Sequence, residues 1–192
     1  MKTITSALAV TAFSTLTFVS GNVVAADFVI ESNHTYPSFQ VPHLGISWWH
    51  GKFNKTSGTL NYDAVGKSGT VDIIIDASSI DFGNNKMNDH AKTADFFNVA
   101  EYPNATYKGK MVFDGDTLTA VDGELTLLGN TKPVKLTVES FKCIMHPMLK
   151  KQACGAQVVG SFDRNDFGMS KYAKGDAGMV KLSIQVEAIK AN

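Results

Sequence analysis

Apolar and polar residues alternate along most of the chain after residue 26. The last segment shows the pattern best: from Val180 to Ala188 every second residue is apolar, and Lys, Ser, Gln and Glu lie between them. A period of two places one row of side chains in a dry interior and the other row in water, which is typical of β-strands with one solvated face. Helical spacing is almost absent, so the pattern predicts an all-β protein.

Turn-forming dipeptides separate the alternating segments, as at Asp114-Gly115-Asp116 and Gly129-Asn130. The pattern predicts about eight strands, some of which are continuous with one another. The predicted segments are 27–31, 35–44, 46–55, 57–64, 68–78, 104–114, 117–128, 131–144, 155–163 and 179–190. One short helical segment is predicted near 84–97, and Tyr102-Pro103 stops any helix beyond it.

Two architectures fit such strands, a closed antiparallel barrel and a two-sheet sandwich, and alternation alone does not separate them. The aromatic content favours the barrel, because twelve Phe, five Tyr and two Trp are many large side chains for one domain. An eight-stranded barrel is just wide enough to be filled by its own side chains or to hold one slender ligand. Both outcomes are open at this point.

The N-terminus has the features of a secretory signal peptide. Lys2 precedes a mostly apolar stretch from Ile4 to Val19, and small residues end the segment. We expect cleavage after Ala26, with Ala25 as the alternative, export to the periplasm, and one domain over 27–192. No other stretch is apolar for long enough to predict a stable transmembrane segment after processing.

Charge and motifs exclude several functions. The net charge is 0, which gives no argument for nucleic-acid binding. No lipase-type serine elbow, zinc-protease helix or phosphate loop occurs, so we expect no enzyme and no cofactor. Cys143 and Cys154 are the only cysteines, and an even pair in an oxidising compartment predicts one disulfide.

Six short motifs occur in an order that resembles the YceI-like family of periplasmic lipid-binding proteins. They are His34-Thr35-Tyr36-Pro37-Ser38-Phe39, His43-Leu44-Gly45-Ile46-Ser47 with Gly51-Lys52-Phe53, Ala94-Asp95-Phe96-Phe97-Asn98-Val99 with Tyr102-Pro103, Gly123-Glu124-Leu125-Thr126-Leu127-Leu128-Gly129, Lys132-Pro133-Val134, and Asp163-Arg164-Asn165-Asp166-Phe167-Gly168. The resemblance covers about residues 27 to 190. It implies a lipocalin-like barrel whose lumen holds an isoprenoid, a quinone or another long-chain amphiphile, for transport or sequestration and without catalysis.

The candidate site residues fall into two groups. Aromatic residues on the predicted dry registers could line the lumen, or could pack together as an ordinary core: Phe39, Phe53, Phe96, Phe97, Tyr107, Phe113 and Phe167. Three cationic or titratable side chains could meet a polar head group: Arg164, His34 and His43. For Arg164 the alternative is an ion pair with a neighbouring Asp that holds a turn, since a guanidinium suits either partner. Trp48-Trp49 could lie at the entry to the lumen.

Two other functions are kept open. The segment Cys143 to Met148 contains His146, Met145 and Met148, which are soft ligands that periplasmic copper prefers, so a copper- or redox-linked role is the first alternative. A ligand-free structural or stress protein with a filled barrel is the second. An open edge strand would also make a homodimer plausible.

Overall fold

The computed structural model describes residues 25–192. The predicted signal peptide therefore lies outside the described residues, apart from Ala25 and Ala26. The strands are β1 (Ala26–Ile30), β2 (Tyr36–His43), β3 (Ser47–Phe53), β4 (Thr56–Asp63), β5 (Ser68–Asp76), β6 (Ile80–Asp81), β7 (Asn104–Asp114), β8 (Thr117–Leu127), β9 (Asn130–Met145), β10 (Gln152–Asp163) and β11 (Met179–Lys190), and the one described α-helix is α1 (Asn85–Ala91). Within 25–192, no helix is both long enough and apolar enough to cross a membrane.

The strands form one antiparallel sheet that closes on itself. Its order is β1-β4-β5-β7-β8-β9-β10-β11, and β1 also pairs with β11, which completes an eight-stranded barrel. Beyond β11 the sheet continues through β2, β3 and the short β6. The predicted all-β antiparallel barrel is confirmed, and the sandwich is wrong.

A short interruption divides one long strand into β1 and β2. A 3-10 turn at Ser32–His34 separates them, yet both pair with β11, through Ile30 opposite Ala188 and Tyr36 opposite Gln185. Between them, buried Thr35 donates its hydroxyl to the Glu187 carbonyl at 3.1 Å and accepts from the Glu187 N–H at 3.0 Å. A side chain thus supplies the ladder bonds that the turn removes.

Glycines let two aromatic rings lie flat on the inner wall of the barrel. A Cβ at Gly123 would lie 2.5 Å from the ring of Tyr107, and a Cβ at Gly51 would lie 2.5 Å from the ring of Phe39. Both distances are far inside van der Waals contact, so any larger residue would push the ring away from the sheet. These glycines therefore keep both rings close against the sheet.

One end of the barrel is filled. Phe28, Leu60 and Ala188 form a buried cluster there, together with Cys154. Cys154 lies opposite Cys143 on β9, and the predicted disulfide joins the two. Because this end is packed with side chains and cross-linked, any open space in the barrel must lie towards the other end.

Helix α1 and the loop after it cover the other end. The helix begins after Asn84, whose side chain accepts from the Met87 N–H at 3.2 Å, and its last residue is Ala91. It is shorter than the predicted segment 84–97, because the chain folds back: the Phe97 N–H donates to the Ala91 carbonyl, and the Val99 N–H donates to the Lys92 carbonyl. This reversal turns Phe97 towards the barrel.

Candidate functional site: a lumen cavity open at one end

A cavity of about 670 Å³ occupies the open half of the barrel. Alternate residues of the barrel strands line it, including Ile73 and Ile75 on β5, Leu125 and Leu127 on β8, and Leu182 on β11. The period of two that predicts the strands also places these apolar side chains on the inner face. Its volume falls in the range of sites that hold a small molecule.

Aromatic side chains form one continuous wall of the cavity. Phe97 packs edge-on against Phe53 at 5.4 Å between ring centroids, and Phe53 lies 5.7 Å from Phe39. The series continues through Phe82 to Trp49, both of which line the cavity. Edge-to-face contacts hold such rings in fixed orientations, so the wall keeps its shape without a ligand.

The lining residues that are exposed to solvent mark the mouth. Leu44 and Trp49 belong to the hairpin of β2 and β3, Lys86 and His90 to α1, and Tyr172 to the loop between β10 and β11. Three separate segments therefore surround the opening. This is the end of the barrel opposite the disulfide.

The mouth is basic. Lys86 and Arg164 line the cavity, as do His43 and His90, whereas no Asp or Glu does so among residues 25–192. The low-dielectric wall strengthens the field of Lys86 and Arg164 at the opening. The site therefore suits an amphiphile with a neutral or anionic head group.

Arg164 holds the loop that follows β10. Its Nε donates to the Ala177 carbonyl at 3.3 Å, and its Nη1 donates to the carbonyls of Met169 and Lys171 at 3.2 and 3.1 Å. Burial lowers the pKa of Arg164, and nearby Asp163 opposes that effect. Backbone carbonyls therefore occupy both Nε and Nη1.

An ion pair joins two of the segments around the mouth. Lys171 Nζ lies 2.5 Å from Asp95 Oδ2, and the ring of neighbouring Tyr172 stacks on Phe96 at 6.1 Å. The hydrogen bond from Lys171 lowers the pKa of Asp95 and raises the pKa of Lys171. These contacts tie the loop before β11 to the segment after α1.

Two hydroxyl groups lie along the lumen, one with a hydrogen-bond partner and one without among the described residues. The Tyr107 hydroxyl donates to the Val134 carbonyl at 2.9 Å, and burial raises the pKa of Tyr107 well above its ordinary value. Thr56 Oγ1 is buried, with no hydrogen-bond partner in the described chain. Neither group is available as a catalytic base, since one is bonded and protonated and the other has no accessible surface.

The structure brings five of the seven predicted lumen aromatics to the cavity wall: Phe39, Phe53, Phe96, Phe97 and Tyr107. It does not bring Phe113 there. Phe113 lies farther along β7, towards the filled end of the barrel, and its ring lies parallel at 6.3 Å to that of Tyr62, which packs against the buried cluster there. Phe167 also lies off the wall, because the 3-10 turn Arg164–Phe167 directs it into the core against Phe162 at 5.1 Å.

Of the three residues predicted to contact a head group, two line the cavity and one does not. Arg164 and His43 line the cavity, and the His43 ring stacks on Trp49 at 3.9 Å. His34 does not line it: it lies in the turn between β1 and β2, largely exposed, with Nδ1 2.6 Å from Glu31 Oε2. The suggested Arg164–Asp ion pair is replaced by the three carbonyl contacts.

The segment from Cys143 to Met148, which contains the candidate copper ligands, does not have the local structure of a metal site. Its sulfur ligand Cys143 is in the disulfide, and His146 Nδ1 accepts from the N–H groups of Met148 and Leu149 at 3.3 and 3.1 Å. Among residues 25–192, no cluster of three His, Cys, Asp or Glu side chains suits a metal. His146 shapes the turn between β9 and β10.

The sequence patterns do not predict several of the residues that line the cavity. Phe82, Met87 and Tyr172 line the cavity from outside the barrel strands. None of them belongs to an alternating segment, so period two carries no information about them. The only available signal is that Phe82 and Met87 flank the Asn84 helix cap.

A closed antiparallel barrel with a packed end, an apolar lumen and a basic mouth defines a lipocalin-like binding barrel. The YceI-like domain model matches residues 28–188, and the chain belongs to the YceI-like family. Protein YceI of Escherichia coli O6:H1 is 35% identical over 182 residues, which cover 93% of this chain and 94% of the relative. Protein YceI of Salmonella agona is 34% identical, with the same coverage.

Solved structures share the fold. The Campylobacter jejuni YCEI protein superposes with a TM-score of 0.67 at 23% identity, covering 79% of this chain and 91% of the other. A polyisoprenoid-binding domain from Saccharophagus degradans has a TM-score of 0.60 at 14% identity, with coverage of 87% and 99%. At these identities the similarity shows the barrel architecture alone.

Proposed function

We propose that this protein binds an amphiphile with a long apolar tail, such as an isoprenoid or a quinone, in the lumen and leaves it chemically unchanged. The observation that carries the proposal is the open apolar cavity of about 670 Å³ with basic residues at its mouth. The family and the polyisoprenoid-binding neighbour support the same ligand class. Transport or sequestration in the periplasm is the corresponding role.

Burial of a long apolar tail in the lumen can supply the binding free energy. Each methylene group that leaves water contributes about 0.8 kcal/mol, so ten carbons contribute roughly 8 kcal/mol. Association and ordering remove a substantial part of this. The remainder allows binding at about micromolar strength or better.

The residues proposed to contact the tail are the lining aromatics Phe39, Phe53, Phe96, Phe97 and Tyr107. We propose that Arg164 and His43 contact the head group at the mouth. Stacking on Trp49 holds the His43 ring in position, and hydrogen bonds to the loop carbonyls hold the Arg164 side chain. A head with an oxygen acceptor would suit both.

The direct test is native mass spectrometry of protein recovered from the periplasm of its host. We expect an additional mass that solvent extraction removes and that corresponds to a lipid. The mass of the protein itself also tests the proposed export, because cleavage after Ala26 or Ala25 gives distinct values. Native protein without any extractable lipid would contradict the binding proposal.

A lumen-filling variant tests the location of the ligand. Leu182→Trp puts a large ring into the cavity, and Ile74→Trp puts the same ring on the outer face of β5, where Ile74 is 43% exposed. We expect displacement of anilinonaphthalene sulfonate by a short-chain ubiquinone to weaken at least about tenfold for Leu182→Trp, which corresponds to ~1.4 kcal/mol. The Ile74→Trp control should bind as the unchanged protein does.

A further inference from the structure

The turn between β2 and β3 exposes large apolar side chains at the mouth. Leu44 and Ile46 are 81% and 82% exposed, and Trp48 and Trp49 follow at 41% and 36%. Single exposed apolar residues are ordinary, but adjacent ones at the tip of one hairpin form a surface typical of a contact site. We call Leu44, Ile46, Trp48 and Trp49 the hairpin tip.

Leu44 does not serve the turn. Its φ is +54°, a left-handed conformation that Gly, Asn and Asp adopt readily and that a bulky side chain disfavours. Its side chain is also in water, where it contributes no burial. A leucine that stabilises neither the turn nor the core points to a contact outside the barrel.

A lysine lies against the hairpin tip. No Asp or Glu occurs from residue 32 to 62, a stretch that includes the whole hairpin. Lys181 Nζ lies 4.1 Å from the ring centroid of Trp48. Tryptophan with neighbouring lysine is the combination that lies well at the head-group layer of an anionic bilayer.

The tip is continuous with the cavity. Leu44 and Trp49 line the opening, and Ile46 lies between them in the hairpin. A tail that leaves a bilayer at this point would enter the aromatic wall without crossing bulk water. The same residues would therefore form both the membrane contact and the lip of the lumen.

We propose that the hairpin tip inserts into the interfacial layer of a bilayer that contains anionic phospholipid, with Lys181 at the lipid head groups. This membrane contact is separate from the proposed ligand binding. Only its role in passing a ligand between bilayer and lumen rests on that proposal. Membrane contact of this kind depends on buried apolar area together with electrostatic attraction. It should therefore weaken when either contribution is removed.

A second exposed apolar turn provides a matched comparison. Met148 and Leu149, in the turn between β9 and β10, are 81% and 52% exposed, beside Lys150 and Lys151. This turn has a similar composition but follows the disulfide at the filled end of the barrel. It offers no route to the cavity, so the proposal assigns it no membrane contact.

The test uses processed protein from a periplasmic extract and vesicles without added ligand. One set is phosphatidylcholine alone, and the other contains phosphatidylglycerol as well. We expect flotation with the mixed vesicles and a blue shift of tryptophan fluorescence. Leu44→Asn/Ile46→Ser should bind at least about tenfold more weakly, and Met148→Ser/Leu149→Ser should bind normally. Asn suits the left-handed turn, so the first variant should fold.

Each other outcome overturns the proposal. Failure of the unchanged protein to float, equal binding by Leu44→Asn/Ile46→Ser, or a loss confined to the Met148 and Leu149 variant excludes the hairpin tip. Concentration-dependent dimerisation that the tip variant abolishes, without vesicle binding, assigns the tip to a second copy. The single variant Ile46→Ser, at a residue that is not among those lining the cavity, should bind vesicles more weakly and keep its ubiquinone affinity in solution, so failure of ligand binding is seen separately.

Discussion

Thr56 shows how one buried atom can oppose stability. Its side chain is 2% exposed, and Oγ1 has no hydrogen-bond partner among the described residues. A buried hydroxyl that loses its water without a replacement costs about 1–3 kcal/mol. The lumen therefore carries an unfavourable group that a single substitution can remove.

We expect Thr56→Val to raise the free energy of unfolding by about 1 kcal/mol, because valine has the same shape without the hydroxyl. Urea unfolding at equilibrium measures it. Thr35→Val is the matched control, since Thr35 is equally buried but makes two bonds to Glu187. That control should be destabilised, and equal effects in both variants would refute the interpretation.

Tyr107 is the opposite case, a lumen hydroxyl with a partner. Tyr107→Phe removes the donor to the Val134 carbonyl and leaves the ring on Gly123. We expect a loss of about 1 kcal/mol in the free energy of unfolding. Chemical denaturation detects it, and a variant as stable as the unchanged protein would mean that water replaces the bond.

At the scale of elements, Asp81 joins α1 to the sheet. Its Oδ1 accepts from the Gly83 N–H and from Asn88 Nδ2, and its Oδ2 accepts from Asn54 Nδ2. The Gly83 hydrogen bond, followed by those from Asn88 and Asn54, lowers the pKa of Asp81. The lowered pKa means that the folded protein favours the charged carboxylate.

The stability from Asp81 is present above the ordinary pKa of an aspartate, about 3.9, and is lost as the pH falls through its lower folded value. We expect Asp81→Asn to be less stable at pH 7 and to differ less from the unchanged protein near pH 2. Melting temperatures across that range measure the difference. Parallel pH profiles would show that Asp81 does not act in this way.

The ion pair of Lys171 and Asp95 joins the two segments beside the mouth. Lys171→Met should release the loop before β11 from the segment after α1 and speed ligand dissociation by up to about fivefold, the range for an exposed pair. Stopped-flow displacement of anilinonaphthalene sulfonate measures the rate. Lys174→Met, on the same exposed loop, should leave the dissociation rate unchanged. Equal rates for both variants would exclude a role of the Lys171–Asp95 ion pair.

At the scale of the whole molecule, the barrel has a cross-linked end and a binding end. Cys143 and Cys154 are separated by 11 residues, and closing a loop of that size contributes roughly 3 kcal/mol in the chain-entropy account. The cavity lies at the other end. Stability and binding should therefore respond differently to loss of the disulfide.

We expect Cys143→Ser/Cys154→Ala to lower the free energy of unfolding by about 2–4 kcal/mol and to change ubiquinone affinity less than about twofold. Ser suits the partly exposed position and Ala the buried one. Denaturant unfolding and probe displacement on the same sample give both values. A large loss of affinity in a folded variant would mean that the two ends are coupled.

Local alternation determined much of this protein by itself. Period two in the segment from Val180 to Ala188 and its counterparts specifies strands with one dry face, because side-chain direction in a strand depends only on position along it. The antiparallel barrel, the YceI-like family and the pairing of Cys143 with Cys154 were accessible from the sequence, and the fold, family and disulfide are confirmed.

Tertiary structure alone decided which dry residues face a cavity. Phe113 and Phe39 both lie on alternating strands, but Phe113 packs beside Tyr62 at the filled end of the barrel, while Gly51 makes room for Phe39 on the wall. Tyr172 reaches the mouth from a loop without periodicity. Whether inward side chains meet or leave space depends on contacts between residues far apart in the chain, and no local pattern contains that information.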